Sequence, residues 1–228
     1  MPGGGGELRL KQRGEEFSIM AGKIELMNSR LSGSEEALAT MAADKMREQK
    51  TPHMLIGGLG MGFTLRAALK RLPPTAKITV AELVPAVVAW AKGPLAGIFD
   101  NCLDDPRVTI HVGDVGDLIW SGKAKFDAIL LDVDNGPEGL TRKANDDLYS
   151  FEGLAAARGA LSPGGVLAVW SCWPDDNFTQ RLKDSRFTVD KVQVRAHEGR
   201  SGARHVLWFA TPGSGEAERS RPTKPKRR

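Results

Sequence analysis

The chain has 228 residues, of which 41% are apolar and 26% charged, with a net charge of +4. That length suits one domain with a sizeable core plus extended ends, and no apolar run is long enough to span a bilayer. The positive charge does not mark a nucleic-acid-binding domain. It comes from a Pro/Ser/Gly-rich tail, 213–228, where Arg219, Arg221, Lys224, Lys226, Arg227 and Arg228 outnumber Glu216 and Glu218, and the rest of the chain is charge-balanced. Such a tail is expected to be disordered and, at most, to touch anionic surfaces non-specifically. Cys102 and Cys172 are two and far apart, so no disulfide framework or zinc site is indicated. Met1 to Glu7 lacks the apolar core of a signal peptide, and the default expectation is a cytoplasmic protein with neither membrane nor specific nucleic-acid partners.

In chain order, residues 1–14 read as a flexible lead and 15–50 as a small N-terminal extension. Within the extension, Phe17–Met27 predicts a short hairpin around Ala21-Gly22. Ser34-Glu35-Glu36 opens a helix with Leu38, Met41, Ala42 and Met46 on one face and Ser34 as the candidate cap. From residue 51 to 212 strands and helices alternate, as in a nucleotide-binding catalytic domain. Strands are expected near His53–Ile56, Ile78–Glu82, Val108–Val112, Ala128–Val133 and Val166–Trp170. Helices are expected near Gly60–Arg71, Pro85–Ala91, Asp114–Trp120, Asp146–Leu161 and Pro174–Lys183. Phe187–Val194 and His205–Ala210 leave no room for a helix between them and predict an antiparallel pair closing one sheet edge. The fold class is therefore α/β, a doubly wound, mostly parallel, seven-stranded sheet with a short hairpin and helix in front.

Ligands on such sheets bind beyond the carboxyl ends of the strands, where strand order reverses. Four polar stretches fall there. The apolar run Met54–Ile56 passes into Gly57, Gly58, Gly60 and Gly62 and then into a helical pattern, the order of a buried strand, a tight turn and a helix start. Glycine turns of this kind serve either close ligand approach or packing, and the spacing does not match the dinucleotide fingerprint G-x-G-x-x-G. Glu82-Leu83 ends the next strand, 20 residues past Gly62, where an acid accepts hydrogen bonds from ribose hydroxyls. Gly113-Asp114 follows the third strand, and Asp114 either caps a helix or accepts from an adenine amino group. Asp132-Val133-Asp134 closes the fourth strand with two carboxylates, suited either to orienting and deprotonating an amine or to capping the loop. Trp170, Cys172 and Trp173 after the fifth strand wall a pocket or belong to the core. His111, inside a strand, reads as structural, and Cys102 has no base beside it.

Several blocks together resemble the spermidine synthase family. They are Leu55-Ile56-Gly57-Gly58-Leu59-Gly60-Met61-Gly62 with Leu65-Arg66, Ala81-Glu82-Leu83 with Val87-Val88, and Asp104-Asp105-Pro106-Arg107-Val108. Gly113-Asp114, Phe126–Asp132 and Leu161-Ser162-Pro163-Gly164-Gly165-Val166 complete the set. The resemblance covers about Phe17 to Trp170. It implies a class I methyltransferase (Rossmann-like) fold behind a small β-domain, and aminopropyl transfer from decarboxylated S-adenosylmethionine to a diamine. Relatives sharing the fold transfer methyl from S-adenosylmethionine itself. By this resemblance Gly57, Gly58, Gly60 and Gly62 line the donor's methionine portion, Glu82 holds the ribose, Asp114 the adenine, and Asp132 is the catalytic aspartate. It also leaves room for a homodimer.

The departures fall in the acceptor region. The family's tyrosine and histidine align with Ala39 and Thr40 and its next glutamate with Met41. Its second aspartate aligns with Asn135, unless Asp134 substitutes after a one-residue shift, and Arg142-Lys143 follows. A dicationic diamine needs carboxylates and aromatic faces, so these changes disfavour it. The expectation is therefore a spermidine synthase-like transferase moving methyl from S-adenosylmethionine to a small-molecule acceptor, with Asp132 and Asp134 acting on that acceptor. The alternatives are aminopropyl transfer to a polyamine, and a non-catalytic nucleotide sensor.

Overall fold

The computed structural model describes residues 7–122, 125–133, 136–137, 147–196 and 203–213. Asp134, Asn135, Arg142, Lys143 and residues 214–228 of the basic tail lie outside the described residues.

The N-terminal part is a three-stranded antiparallel sheet, β1 (Leu8–Arg13), β2 (Glu16–Ala21) and β3 (Ile24–Asn28), in the order β1-β2-β3. The expected hairpin is β2-β3. The lead, expected to be flexible, instead supplies β1, which pairs with β2 from Leu8 opposite Ala21 to Arg13 opposite Glu16. The alternation in Leu8-Arg9-Leu10 places two leucines against the core, and that contact orders the segment. Helix α1 (Gly33–Lys45) follows. Ser34 is not its cap: the capping position is Ser32, which makes no side-chain cap bond, and Ser34 is fully buried.

The main sheet contains β4 (His53–Gly57), β5 (Lys77–Glu82), β6 (Val108–Val112), β7 (Phe126–Leu131), β8 (Leu161–Ser171), β9 (Phe187–Arg195) and β10 (Arg204–Pro212). Its order is β6-β5-β4-β7-β8-β10-β9. The five strands β6 to β8 run parallel, and β10 joins β8 and β9 antiparallel, closing the edge as the spacing predicts. The connecting helices are α2 (Phe63–Arg71), α3 (Pro85–Lys92), the short α4 (Ala96–Phe99), α5 (Val115–Trp120), α6 (Phe151–Ala160) and α7 (Asp176–Asp184).

Both sheet faces are buried, and the side-chain alternation of the strands divides the core. Met54, Ile56, Val80, Ala128, Leu130, Ala168, Leu207 and Phe209 pack under α1 to α4. Leu55, Ile129, Leu131, Leu167, Val169 and Trp208 pack under α5 to α7. No helix among the described residues is long and apolar enough to cross a membrane. Strand order reverses at β4, which lies between β5 and β7, so the carboxyl ends of these three strands define the crevice.

Candidate functional site

The glycine turn is shaped by what surrounds it. The amide of Gly58 donates to the Ala81 carbonyl at 2.8 Å and that of Asp132 to the Gly57 carbonyl at 3.0 Å, so the turn is tied to both neighbouring strands. Gly58 has φ +92°, and a Cβ there would lie 2.3 Å from the carbonyl oxygen of Asp132. Only glycine fits. Gly60 also has positive φ, and β3 comes down over it: a Cβ would meet the Met27 sulfur at 2.9 Å. Left-handed Gly62 sits just before α2, which delays the helix start from the expected Gly60 to Phe63.

A pocket opens over this turn. Leu8, Ile19, Leu26 and Met27 of the N-terminal sheet form its roof; Gly58 to Met61 with Phe63 and Thr64 form its floor. Glu82-Leu83-Val84 and Gly113-Asp114-Val115 bound one end, and Glu35, Asp132, Val133 and Trp170 the other. Of the expected donor-binding residues, Gly58, Gly60, Glu82, Leu83, Gly113 and Asp114 line this cavity. Gly57 and Gly62 do not. Gly57 packs against the Val115 side chain and Gly62 under the Phe99 ring, where a Cβ would approach within 2.6 Å, so both serve the packing of the turn.

At the first end, Glu82 is 7% exposed and accepts from the amides of Leu59 at 3.0 Å and Val84 at 2.7 Å. Burial raises its pKa, and these backbone bonds oppose the rise. Asp114 caps α5 by accepting from the Gly116 amide at 2.8 Å and also borders the pocket. The His111 ring lies against Gly113, where a Cβ would come within 2.7 Å of its Nε2.

The other end gathers side chains from distant segments. Asp132, just past β7, accepts from the Thr64 hydroxyl of α2 at 2.6 Å. Burial raises its pKa against that bond. Glu35, on α1 and only 9% exposed, reaches the same end. Its pKa is raised first by burial and then by the negative charge of Asp132. Trp170, at the end of β8, walls the pocket, whereas Trp173 is 64% exposed. Burial and the same two carboxylates push the Cys172 thiol up to about 11, which keeps it protonated.

Glu35 was not among the expected site residues, yet a signal for it exists. It precedes buried Leu38, Ala39 and Ala42 by three, four and seven positions, so it is a carboxylate on the apolar face of α1. Thr64 and Met27 carry no such signal, because nothing local distinguishes them from ordinary helix and strand residues. Asp134 lies outside the described residues.

Comparison with known proteins agrees with this architecture. The spermine/spermidine synthase domain family matches residues 32–188. The chain is 33% identical over 118 residues to the polyamine aminopropyltransferase of Nitrosomonas europaea, covering 51% of this chain and 34% of that protein. It is 32% identical over 119 residues to that of Mycobacterium tuberculosis, covering 51% of this chain and 22% of that one. The match thus spans about a third or less of these relatives' length. Among solved structures, spermidine synthase from Thermotoga maritima superposes with a TM-score of 0.66 at 19% identity, over 90% of this chain and 72% of that one. Human methyltransferase-like protein 13 in complex with SAH gives 0.59 at 20% identity, over 80% and 81%. These structures share the class I methyltransferase fold, common to aminopropyl- and methyltransferases. With the family match covering more than half of its length, the chain belongs to the spermine/spermidine synthase domain family.

Proposed function

We propose that this chain transfers an aminopropyl group from decarboxylated S-adenosylmethionine to an amine acceptor of the polyamine class. The observation that carries the proposal is the charge of the pocket: Glu35, Glu82, Asp114 and Asp132 line it, and no Lys, Arg or His does among the described residues. The decarboxylated donor brings a sulfonium and an ammonium and no anion. Intact S-adenosylmethionine adds a carboxylate, for which the described lining offers no cationic partner. The relatives' names point the same way, toward aminopropyl rather than methyl transfer.

This reading replaces the methyl-transfer expectation. That expectation rested on the loss of the family's tyrosine, histidine and glutamate at Ala39, Thr40 and Met41, on Asn135 in place of its second aspartate, and on the cations Arg142-Lys143. Glu35, one helical turn earlier, supplies a carboxylate to the pocket, and Trp170 supplies an aromatic face. The assigned roles follow from position. The glycine turn with Gly58 and Gly60 seats the donor chain, Glu82 takes the ribose hydroxyls beside Leu83, and Asp114 with Gly113 takes the adenine edge. Asp132 orients the acceptor nitrogen and receives its proton. Asp134 is proposed as a second acid on the acceptor. A cytoplasmic setting and a homodimer complete the reading.

Calorimetry with the two donors side by side tests it. Tighter binding of decarboxylated S-adenosylmethionine, with turnover on addition of putrescine or spermidine, supports the proposal. Tighter binding of the intact donor returns the protein to methyl transfer, and binding of neither removes the donor site altogether.

A further inference from the structure

Behind the acceptor end of the pocket lies a polar chain to which the roles above assign no work. Ser34 is 0% exposed, at the start of α1, and three side chains converge on its hydroxyl. It donates to Glu35 Oε2 at 2.5 Å, and Trp170 Nε1 donates to it at 3.0 Å. His205 Nδ1 lies 2.8 Å from the same oxygen. Trp170 is on β8 and His205 on the adjacent β10, their rings edge to face with centroids 4.8 Å apart, so the contact is built into the sheet. Glu35 faces the pocket, while His205 is half-buried on the far side of Ser34.

A hydroxyl has one proton and two lone pairs. The indole N–H of Trp170 can only donate, so it holds one lone pair permanently. One proton and one lone pair remain for Glu35 and His205. If Glu35 is ionised, Ser34 donates to it and His205 must donate from Nδ1. If Glu35 is protonated on Oε2, Glu35 donates to Ser34, and Ser34 donates to an Nδ1 that carries no proton. The two states interconvert in one concerted shift: the Glu35 proton moves to Ser34 Oγ, the Ser34 proton moves to Nδ1, and the imidazolium releases its Nε2 proton to solvent.

We propose that Glu35, Ser34 and His205 form a proton-exchange path, through which binding of a cationic amine expels the Glu35 proton to solvent and release of the product restores it. The step balances as protonated Glu35 plus cation giving carboxylate, bound cation and one solvated proton; no bond other than N–H and O–H changes. Glu35 is thereby a carboxylate when the ammonium is present and an uncharged acid when the pocket is empty. Ser34 and His205 are positioning residues that act through it. This rests on the amine-transferase reading for its ligand, but the coupling within the chain does not. The groups facing Glu35 are Asp132, which follows β7, Glu36 of α1 and the Cys172 thiol beyond β8. Around His205 are Ser34, Trp170 and its β9 partner Val194, with Arg204 and Arg195 next in register. Burial lowers the His205 pKa, which disfavours the imidazolium in either resting state.

Nitrogen-15 NMR of the full chain without ligand tests the path directly. As pH rises through the ionisation of Glu35, followed by its carboxyl carbon-13 shift, His205 should change from the tautomer protonated at Nε2 to the one protonated at Nδ1. Glu35→Gln should abolish that change while the protein stays folded, and Ser34→Ala should uncouple the two titrations. A tautomer that stays constant while Glu35 titrates overturns the proposal, as does a change that persists in either variant. Calorimetry with spermidine in buffers of different ionisation enthalpy then reads proton release, expected at up to one per amine bound and lost in Glu35→Gln. A coupled tautomer with no amine binding would reject the proposed function and leave the path standing.

Discussion

The two ends of the pocket are built on opposite principles. At the donor end, carboxylates are held by backbone amides: Glu82 by Leu59 of the glycine turn and by Val84 two residues on, Asp114 by Gly116 two residues on. At the acceptor end, carboxylates are held by side-chain hydroxyls: Asp132 by Thr64 of α2, and Glu35 by its neighbour Ser34, which is in turn held by Trp170 and His205 of distant strands. Backbone amides at strand ends are fixed by the sheet itself and are indifferent to most substitutions. Side-chain partners are set one residue at a time. The difference parallels the sequence, where the blocks that resemble the family lie at the first end and the departures lie near the second.

Substitutions at each end sharpen this contrast. Asp132→Asn is expected to have the largest effect: turnover falls by about 10²- to 10⁴-fold while donor affinity holds, since a proton acceptor is lost and the shape is kept. Single-turnover kinetics with bound donor checks it, and retained turnover would reduce Asp132 to a partner of Thr64. Gly58→Ala combines positive φ with a clash on the Asp132 carbonyl and should cost roughly 2–3 kcal/mol in denaturant unfolding. An unchanged midpoint would mean that the turn relaxes freely.

Glu35→Gln should raise the acceptor KM by about tenfold, the order expected for a charge-assisted hydrogen bond, with donor affinity little altered. Equal effects on both substrates would dissolve the two-end distinction. Glu82→Ala does the reverse, weakening donor binding severalfold and leaving two amides unsatisfied. Unchanged donor affinity would remove the ribose assignment.

The smallest effect concerns pH. Glu35 and Asp132 both have folded-state pKa values raised above their unfolded values. The folded state therefore binds protons more tightly, so the associated stability is present in full below the ordinary carboxylate range and is lost as pH rises toward neutrality. Unfolding free energy should fall across that interval, and the slope should flatten in Glu35→Gln. Amine binding should strengthen over the same interval.

How much of this was legible in the sequence follows from the same contrast. The glycine turn, Glu82 and Asp114 are readable because strand, turn and helix start are local features with fixed periods, and an α/β sheet places their ends together. Even there, sequence alone could not separate Gly58 and Gly60, which face the cavity, from Gly57 and Gly62, which pack under Val115 and Phe99. β1 was missed because a short alternating strand beside a glycine-rich run is ordered only by the core it covers. At the acceptor end, Glu35 showed itself as an acid on an apolar helical face, but its nearness to Asp132 depends on how α1 packs across β7 and β8. Ser34 and His205 are 171 residues apart in sequence, and only the docking of α1 against β8 and β10 brings them together. The sequence by itself determined the sheet, its crevice and the pocket end lined by the glycine turn, Glu82 and Asp114, because hydrogen-bonded periodicity is local. The charge and connectivity of the acceptor end were decided by tertiary packing, because side-chain contacts between distant segments have no period to read.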